Sequence, residues 1–226
     1  PLICPYKSEK SLCGAELGSG VLDFVPLRIT DAPLFGWRGH MLDTSRHFVP
    51  VDEILTLLDG LYAAKLNVFH WHIVDSPSFP MDSKAHPELA LQGSWTGTNA
   101  SIYSVADQQR VAQRAKDRFI ELVIEIDTPA HTLAVAKAHP EMMSDCWEWM
   151  ATSHFKVDVD SDDCMAMDPT NPAARAMVAS LLHEGLSLSL LSLSLSLSLS
   201  LIHISHEAAE TQGLDSKYVH IGGDEV

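Results

Sequence analysis

Basic residues are scarce. Only 15 Lys and Arg stand against 30 Asp and Glu, a formal net charge of −15 over 226 residues. A chain of that sign does not fit a nucleic-acid partner, whose phosphates need clustered cations, and it is repelled by an anionic membrane surface. Cysteine is sparse too: Cys4, Cys13, Cys146 and Cys164 lack the paired spacing of a zinc site. They read either as two disulfides of a secreted protein or as scattered thiols. No charged segment followed by an apolar stretch and a small-residue cleavage site opens the chain. It starts at Pro1 rather than Met, so the N-terminus is read as trimmed or incomplete and says nothing of compartment. What remains is a globular composition, 46% hydrophobic and 20% charged, compatible with a neutral or cationic ligand. Asn99-Ala100-Ser101 is a glycosylation sequon, compatible with secretion.

Residues 1–33 carry Gly, Ser, Pro and both early cysteines with little periodicity and read as the tail of an upstream region. From Leu34 the pattern sharpens. Residues 37–42 read as a strand, and 51–64 as a helix with Ile54, Leu55, Leu57, Leu58 and Leu61 at helical spacing. Residues 66–74 form a β-branched and aromatic strand, 105–119 a polar-faced helix, and 120–126 a strand buried on both faces. Residues 172–184 are helical with Pro at the start, and 218–221 form a short strand stopped by Gly222-Gly223. Strand and helix alternate, the signature of parallel βα units. Residues 186–201 alternate Leu and Ser with one slip at Leu190-Leu191. As a strand this run would put Leu on one face and Ser on the other, an exposed, uncharged, aggregation-prone segment. It also matches the translation of a CT dinucleotide repeat, and is read as a low-complexity insert.

Chemically rich residues follow the strands: Asp43, Thr44 and Arg46; His70, His72 and Asp75; Asp127 and His131; Asp224 and Glu225. The C-terminal ends of parallel strands are where a (β/α)₈ barrel or an open α/β sheet builds its site. Asp224-Glu225 places two carboxylates side by side after Gly-Gly, an arrangement that raises one pKa and keeps a proton donor available. Arg46 can fork onto sugar hydroxyls or a carboxylate, or serve as a structural ion pair with Asp43 or Asp75. His70 and His72 share one strand face and, with His131, His220 and Asp224, also suit a metal site of the amidohydrolase kind. On the residues alone, a metal-dependent hydrolase and a carbohydrate hydrolase are equally supported.

Several segments, in order, resemble the family-20 glycoside hydrolases, the β-N-acetylhexosaminidases. They are Trp37-Arg38-Gly39-His40-Met41-Leu42-Asp43-Thr44-Ser45-Arg46-His47-Phe48, then Asn67-Val68-Phe69-His70-Trp71-His72-Ile73-Val74-Asp75 through Ser78-Phe79-Pro80. Glu125-Ile126-Asp127-Thr128-Pro129-Ala130-His131-Thr132, Asp168-Pro169-Thr170-Asn171-Pro172 and His220-Ile221-Gly222-Gly223-Asp224-Glu225-Val226 follow. The likeness covers about residues 34–184 and 207–226. It implies an α/β fold, a (β/α)₈ TIM barrel of which residues 34–226 supply about the first four βα units, since a full barrel takes about 250 residues. It implies an exo-acting hydrolase that removes terminal β-linked N-acetylglucosamine or N-acetylgalactosamine with retention, the substrate's own acetamido oxygen attacking the anomeric carbon to give an oxazolinium intermediate, an exception to the two-carboxylate scheme. Glu225 matches the general acid and base, Asp224 the carboxylate that orients the acetamido N–H. Arg46 matches the residue gripping the distal ring hydroxyls, and Asp75, Asp127 and His131 match supporting residues of the pocket.

The resemblance implies no metal and no cofactor, a carbohydrate substrate on an oligosaccharide, glycoprotein or glycolipid, no nucleic-acid or membrane partner, a homodimer in the complete protein, and a secreted or lysosomal lumen. Two positions depart from many relatives: Ser76 stands where a second Asp is common, and Ala130 where Gly is common. The first removes a charge beside Asp75; the second adds a methyl beside His131 in a turn. Both are expected to tune affinity or pH response. A non-catalytic, sugar-binding remnant is the reading from a different class.

Overall fold

The computed structural model describes residues 28, 30–144, 166–191 and 219–222. The chain divides into residues 1–36 and 37–226, and every strand and helix described lies in the second unit. Asp224, Glu225, the four cysteines and residues 192–201 lie outside the described residues, so the sequence expectations placed on them are not addressed by the fold.

Four parallel strands run side by side in the order β1 (Gly39–Asp43), β2 (Val68–Val74), β3 (Glu121–Ile126) and β4 (Val219–His220). Between them lie α1 (Val51–Ala63), α2 (Pro87–Gly93), α3 (Val105–Asp117), α4 (Leu133–Ala138) and α5 (Pro172–Leu191). Parallel neighbours need a crossover, and each helix-bearing connection supplies one. In α1, Ile54, Leu58 and Leu61 are buried at i, i+4 and i+7, and Asp52 and Glu53 sit in the first turn, where the helix dipole favours them. Helix α3 starts on a capping box: Ser104 Oγ accepts from the Asp107 N–H at 3.2 Å while Asp107 Oδ2 accepts from the Ser104 N–H at 3.3 Å. Arg114 and Lys116 fill its last turn. Helix α5 begins at Pro172 behind Asn171, whose Oδ1 accepts from the Ala173 N–H at 2.9 Å.

The strand register sorts the sheet into two faces. Phe69, Trp71, Leu122 and Ile124 are fully buried beneath the helices. On the opposite face, register aligns Met41 with His70 and Val123, and Asp43 with His72, Glu125 and His220. One face therefore supplies the core, and the other carries a row of ionisable groups near the strands' C-terminal ends. Helix α5 closes on the core side through Gly185, where an added Cβ would press on Ile126, Val219 and Ile124 at 3.2–3.4 Å.

The Leu-Ser run differs from its strand reading. Helix α5 carries it to Leu191, and the serines absorb their polarity locally: Ser187 Oγ donates to the His183 carbonyl at 2.9 Å and Ser189 Oγ to the Gly185 carbonyl at 3.1 Å. That back-bonding lets an alternating sequence remain helical although period-two Leu cannot line one helix face. Helices α2 and α4 were not anticipated from the sequence. No described helix is long and apolar enough to cross a membrane.

Candidate active site

Arg46 sits in the β1–α1 connection, and its placement follows from the clamp around residues 43–50. Asp43 Oδ1 accepts from the backbone N–H groups of Ser45 and Arg46 at 3.0 and 3.1 Å, an Asx turn that ends β1. The buried Trp71 donates its indole N–H to Thr44 Oγ1 at 2.9 Å, and Ser45 Oγ donates to the Ser78 carbonyl at 2.6 Å. Trp95 donates its indole N–H to the Ser45 carbonyl at 2.8 Å. Phe48 stacks on Tyr103 with centroids 4.5 Å apart, and the Tyr103 hydroxyl donates to the Val49 carbonyl at 2.6 Å while accepting from the Val49 N–H at 3.1 Å. Burial pushes the Tyr103 phenol up to about 12 against its hydrogen bonds, so it remains a donor at any physiological pH.

Held this way, Arg46 Nη1 reaches Asp43 Oδ2 at 2.8 Å and Asp75 Oδ2 at 2.7 Å. Both ion pairs anticipated for it are present, and 45% of its side-chain surface stays exposed toward solvent. Asp75, the first residue after β2, is buried. Its Oδ2 also meets His72 Nε2 at 2.7 Å, and its Oδ1 accepts from the Ser76 N–H at 2.6 Å. Burial alone would raise the Asp75 pKa; the His72 hydrogen bond and the Arg46 charge reverse that and hold it below its ordinary value. His72 is buried between two carboxylates, with Nδ1 2.8 Å from Glu125 Oε2. Burial would lower its pKa, but hydrogen bonds to Asp75 and Glu125 carry it up to about 10. Glu125 also meets His70 Nε2 at 2.5 Å and His220 Nδ1 at 3.0 Å. Its burial cost is outweighed by His70 and His72, which hold the carboxyl well below its usual range.

Asp127 directly follows β3. His131 lies in the next turn with φ of 56°, and its Nδ1 is 3.4 Å from Asp75 Oδ1. Polar atoms of Asp75, Asp127 and His131 fall within 4.8 Å of one another. Asp127 also packs on the end of β4: Gly222 has φ of +66°, and any Cβ there would overlap the Asp127 carboxylate, so only glycine fits both the backbone and the space. A cavity of about 10 Å³ beside Asp75, Asp127 and His131 is at the lower limit for one water molecule and far below a hexose. That cavity does not hold a sugar.

The structure thus brings Arg46, Asp75, Asp127 and His131 to the C-terminal ends of three neighbouring strands. The histidines of the metal reading fall into three overlapping groups rather than one. Among the described residues, His70 and His220 group with Glu125, His72 with Glu125 and Asp127, and His131 with Asp75 and Asp127. His72 faces a carboxylate at each nitrogen, so both nitrogens are taken up by Asp75 and Glu125.

Residues 35–226 match the glycosyl hydrolase family 20 catalytic domain. The chain belongs to that family. It is 38% identical over 160 residues to beta-hexosaminidase subunit B1 of Dictyostelium discoideum, covering 71% of this chain and 27% of that one. It is 43% identical over 120 residues to the alpha subunit of Rattus norvegicus beta-hexosaminidase, covering 53% and 22%. Among solved structures, it resembles the family-20 β-N-acetylhexosaminidase of Streptomyces coelicolor A3(2) with a TM-score of 0.62 at 25% identity, over 87% of this chain and 34% of that one. The Vibrio harveyi exo-β-N-acetylglucosaminidase, solved with N-acetylglucosamine, aligns with a TM-score of 0.59 at 27% identity, over 70% and 26%. The chain spans about a quarter of the length of the curated relatives it matches.

The two departures from the family-20 pattern take physical form here. Ser76 is buried and its Oγ has no hydrogen-bond partner among the described residues, while its N–H caps Asp75. Ala130 does not occupy the left-handed region; His131 does. The turn therefore places its backbone demand on the histidine, a residue type that tolerates it better than most, and Ala130 is accommodated. Sequence reasoning missed Glu125, although a charged residue inside the apolar run 120–126 was a readable signal. Trp95 and Tyr103, which hold the Arg46 loop, carried none.

Proposed function

We propose that residues 34–226 are about the first four βα units of a (β/α)₈ barrel whose complete form is an exo-acting β-N-acetylhexosaminidase. It releases terminal β-linked N-acetylglucosamine or N-acetylgalactosamine with retention through an oxazolinium intermediate. The observation that carries the reading is the gathering of Arg46, Asp75, Asp127 and His131 at the ends of adjacent parallel strands in a family-20 chain. In this reading Arg46 donates to the distal ring hydroxyls. Asp75 keeps Arg46 in place and, with Asp127 and His131, supports the floor of the pocket. Asp224 orients the acetamido N–H and stabilises the cationic intermediate. Glu225 protonates the leaving oxygen and then activates water. Four adjacent parallel strands and a match to about a quarter of the length of the curated relatives support the partial-barrel part of the proposal. A secretory or lysosomal lumen fits the acidic chain and the exposed Asn99 sequon. Pairing of two copies in the complete protein rests on the family resemblance.

The test is hydrolysis of 4-nitrophenyl N-acetyl-β-glucosaminide and the matching galactosaminide by the full chain and by Glu225→Gln. Loss of at least ~10²-fold in turnover is expected, the scale of a general acid; undiminished turnover sinks the role given to Glu225. One observation favours a second reading, a sugar-binding remnant: Ser76, read from the family resemblance as standing where a second Asp is common, is buried with its Oγ unpaired among the described residues. Saturable sugar binding without turnover is its signature.

A further inference from the structure

We infer that His72 and Glu125 are positioning residues, a relay across the polar face of the sheet that fixes the Arg46–Asp75 pair on one side and the end of β4 on the other. The inference rests on the hydrolase reading and adds to it two residues to which no sugar contact is given.

The geometry leaves His72 little choice. Both ring nitrogens face carboxylate oxygens, Asp75 Oδ2 at 2.7 Å and Glu125 Oε2 at 2.8 Å. Ionised carboxylates only accept, so both nitrogens must donate and the ring is an imidazolium. Arg46 Nη1 lies 3.3 Å from His72 Nε2. Two donors this close are held together by Asp75 Oδ2, which each approaches to 2.7 Å. A neutral ring could donate to only one of Asp75 and Glu125, so loss of the proton breaks the link between the two sides. On the other side, Glu125 brings His70 and His220 to the same carboxylate. His220 lies on β4, and its Nδ1 is also 3.1 Å from the Gly222 N–H, the first glycine of the turn that leads to Asp224-Glu225. That nitrogen can donate to Glu125 or accept from Gly222, but not both at once. The charge on Glu125 therefore biases the backbone at Gly222, two residues before Asp224 in sequence. The ionisable groups around His72 are Asp43 and Arg46 from the β1 end, His70 and Asp75 from β2 and its exit, Glu125 and Asp127 from β3, His131 from the following turn, and His220 from β4.

The test has two arms on the full chain. In the first, ¹⁵N-histidine labelling with a pH series follows the imidazole nitrogens, His72 being assigned through the bonds that link its ring to its sequentially assigned backbone. Expected are imidazolium shifts at both His72 nitrogens at pH 7.5, with a midpoint that moves down by more than one pH unit in Glu125→Gln. A wild-type His72 that is neutral at pH 7.5 overturns the relay, and this measurement needs no variant to fold. In the second arm, steady-state hydrolysis of the aryl glucosaminide is measured against pH. Glu125→Gln should lower kcat/KM by ~10²-fold, the scale of a misplaced reacting group, and move the alkaline limb to lower pH, because the imidazolium is then lost sooner. A loss of equal size at every pH is that of a merely structural residue and also overturns it. If the wild-type chain turns over no substrate, the hydrolase reading of these 226 residues fails, and the resonance arm still decides for or against the relay.

Discussion

Replacing Tyr103 with Phe removes one oxygen and little else. The ring keeps its stack on Phe48 and its edge contact with Trp71, whose centroid lies 5.1 Å away. What is lost is the hydroxyl that both donates to and accepts from Val49. Each such bond is worth about 1 kcal/mol net, so the pair comes to about 2 kcal/mol. Val49 is only half-buried, so water can re-pair part of its backbone, and the loss should lie between about 1 and 3 kcal/mol. For a chain of this size that corresponds to a fall in Tm of about 2–12 °C. Urea unfolding should give the same loss with an unchanged m-value, since little surface changes. The variant should also couple to Trp95→Phe, because both side chains hold the loop that carries Arg46. A double-mutant cycle is expected to show at least ~0.5 kcal/mol of interaction. A loss below ~0.5 kcal/mol with strict additivity would refute the view that this loop is clamped from both sides.

Two further outcomes concern other parts of the fold. His139 Nε2 and Nδ1 each lie 3.0 Å from a carboxylate, Glu88 on α2 and Glu141 beyond α4. Burial lowers its pKa, and the two hydrogen bonds outweigh that and raise it above its ordinary 6.5. A raised histidine stabilises fully below pH 6.5 and loses that contribution as pH rises through its folded value. His139→Gln should therefore cost stability at pH 6, on the order of 1 kcal/mol or less for a solvent-screened pair, and almost none at pH 10; an equal cost at both would contradict the assignment. Asn99 is exposed in the 3₁₀ turn Asn99–Ser101, so secretion from a eukaryotic host should attach an N-glycan. The check is a gel shift removed by an N-glycan amidase and missing in Asn99→Gln; an unshifted wild-type chain argues against the lumenal reading.

The fold was legible where periodicity and register agree. Strand 66–74 and helix 105–119 return as β2 and α3 because an alternating or 3.6-residue apolar pattern has one way to reach a core. Boundaries moved by a few residues, as at β1, where exposed Trp37 stays outside Gly39–Asp43. Helix α2 went unread because its seven residues hold too little pattern to see, and it is fixed by tertiary packing, with Gly93 pressed against Phe79 and Ala134. As far as Leu191, the strand alternative for the Leu-Ser run fails for the opposite reason: its period is strong but local, and serine back-bonding to the preceding turn satisfies a helix that binary patterning disfavours.

The site was legible in its ends and hidden in its middle. Arg46, Asp75, Asp127 and His131 stand in loops, where a polar side chain invites a functional question. Glu125 stands inside a strand, next to Ile124 and Ile126, which are buried on the other side of the backbone. Its meaning depends on register: only when β2, β3 and β4 align His72, Glu125 and His220 does one carboxylate acquire three imidazoles. A single sequence does not encode that alignment locally, because parallel pairing is set by crossovers of dozens of residues. The charge balance follows the same logic. A buried glutamate alone would be neutralised by desolvation, so its ionised state requires cations brought from neighbouring strands. The scarcity of Lys and Arg therefore does not leave the polar face without positive charge. Arg46 supplies part of it, and His72 the rest, at the position where two carboxylates face one ring.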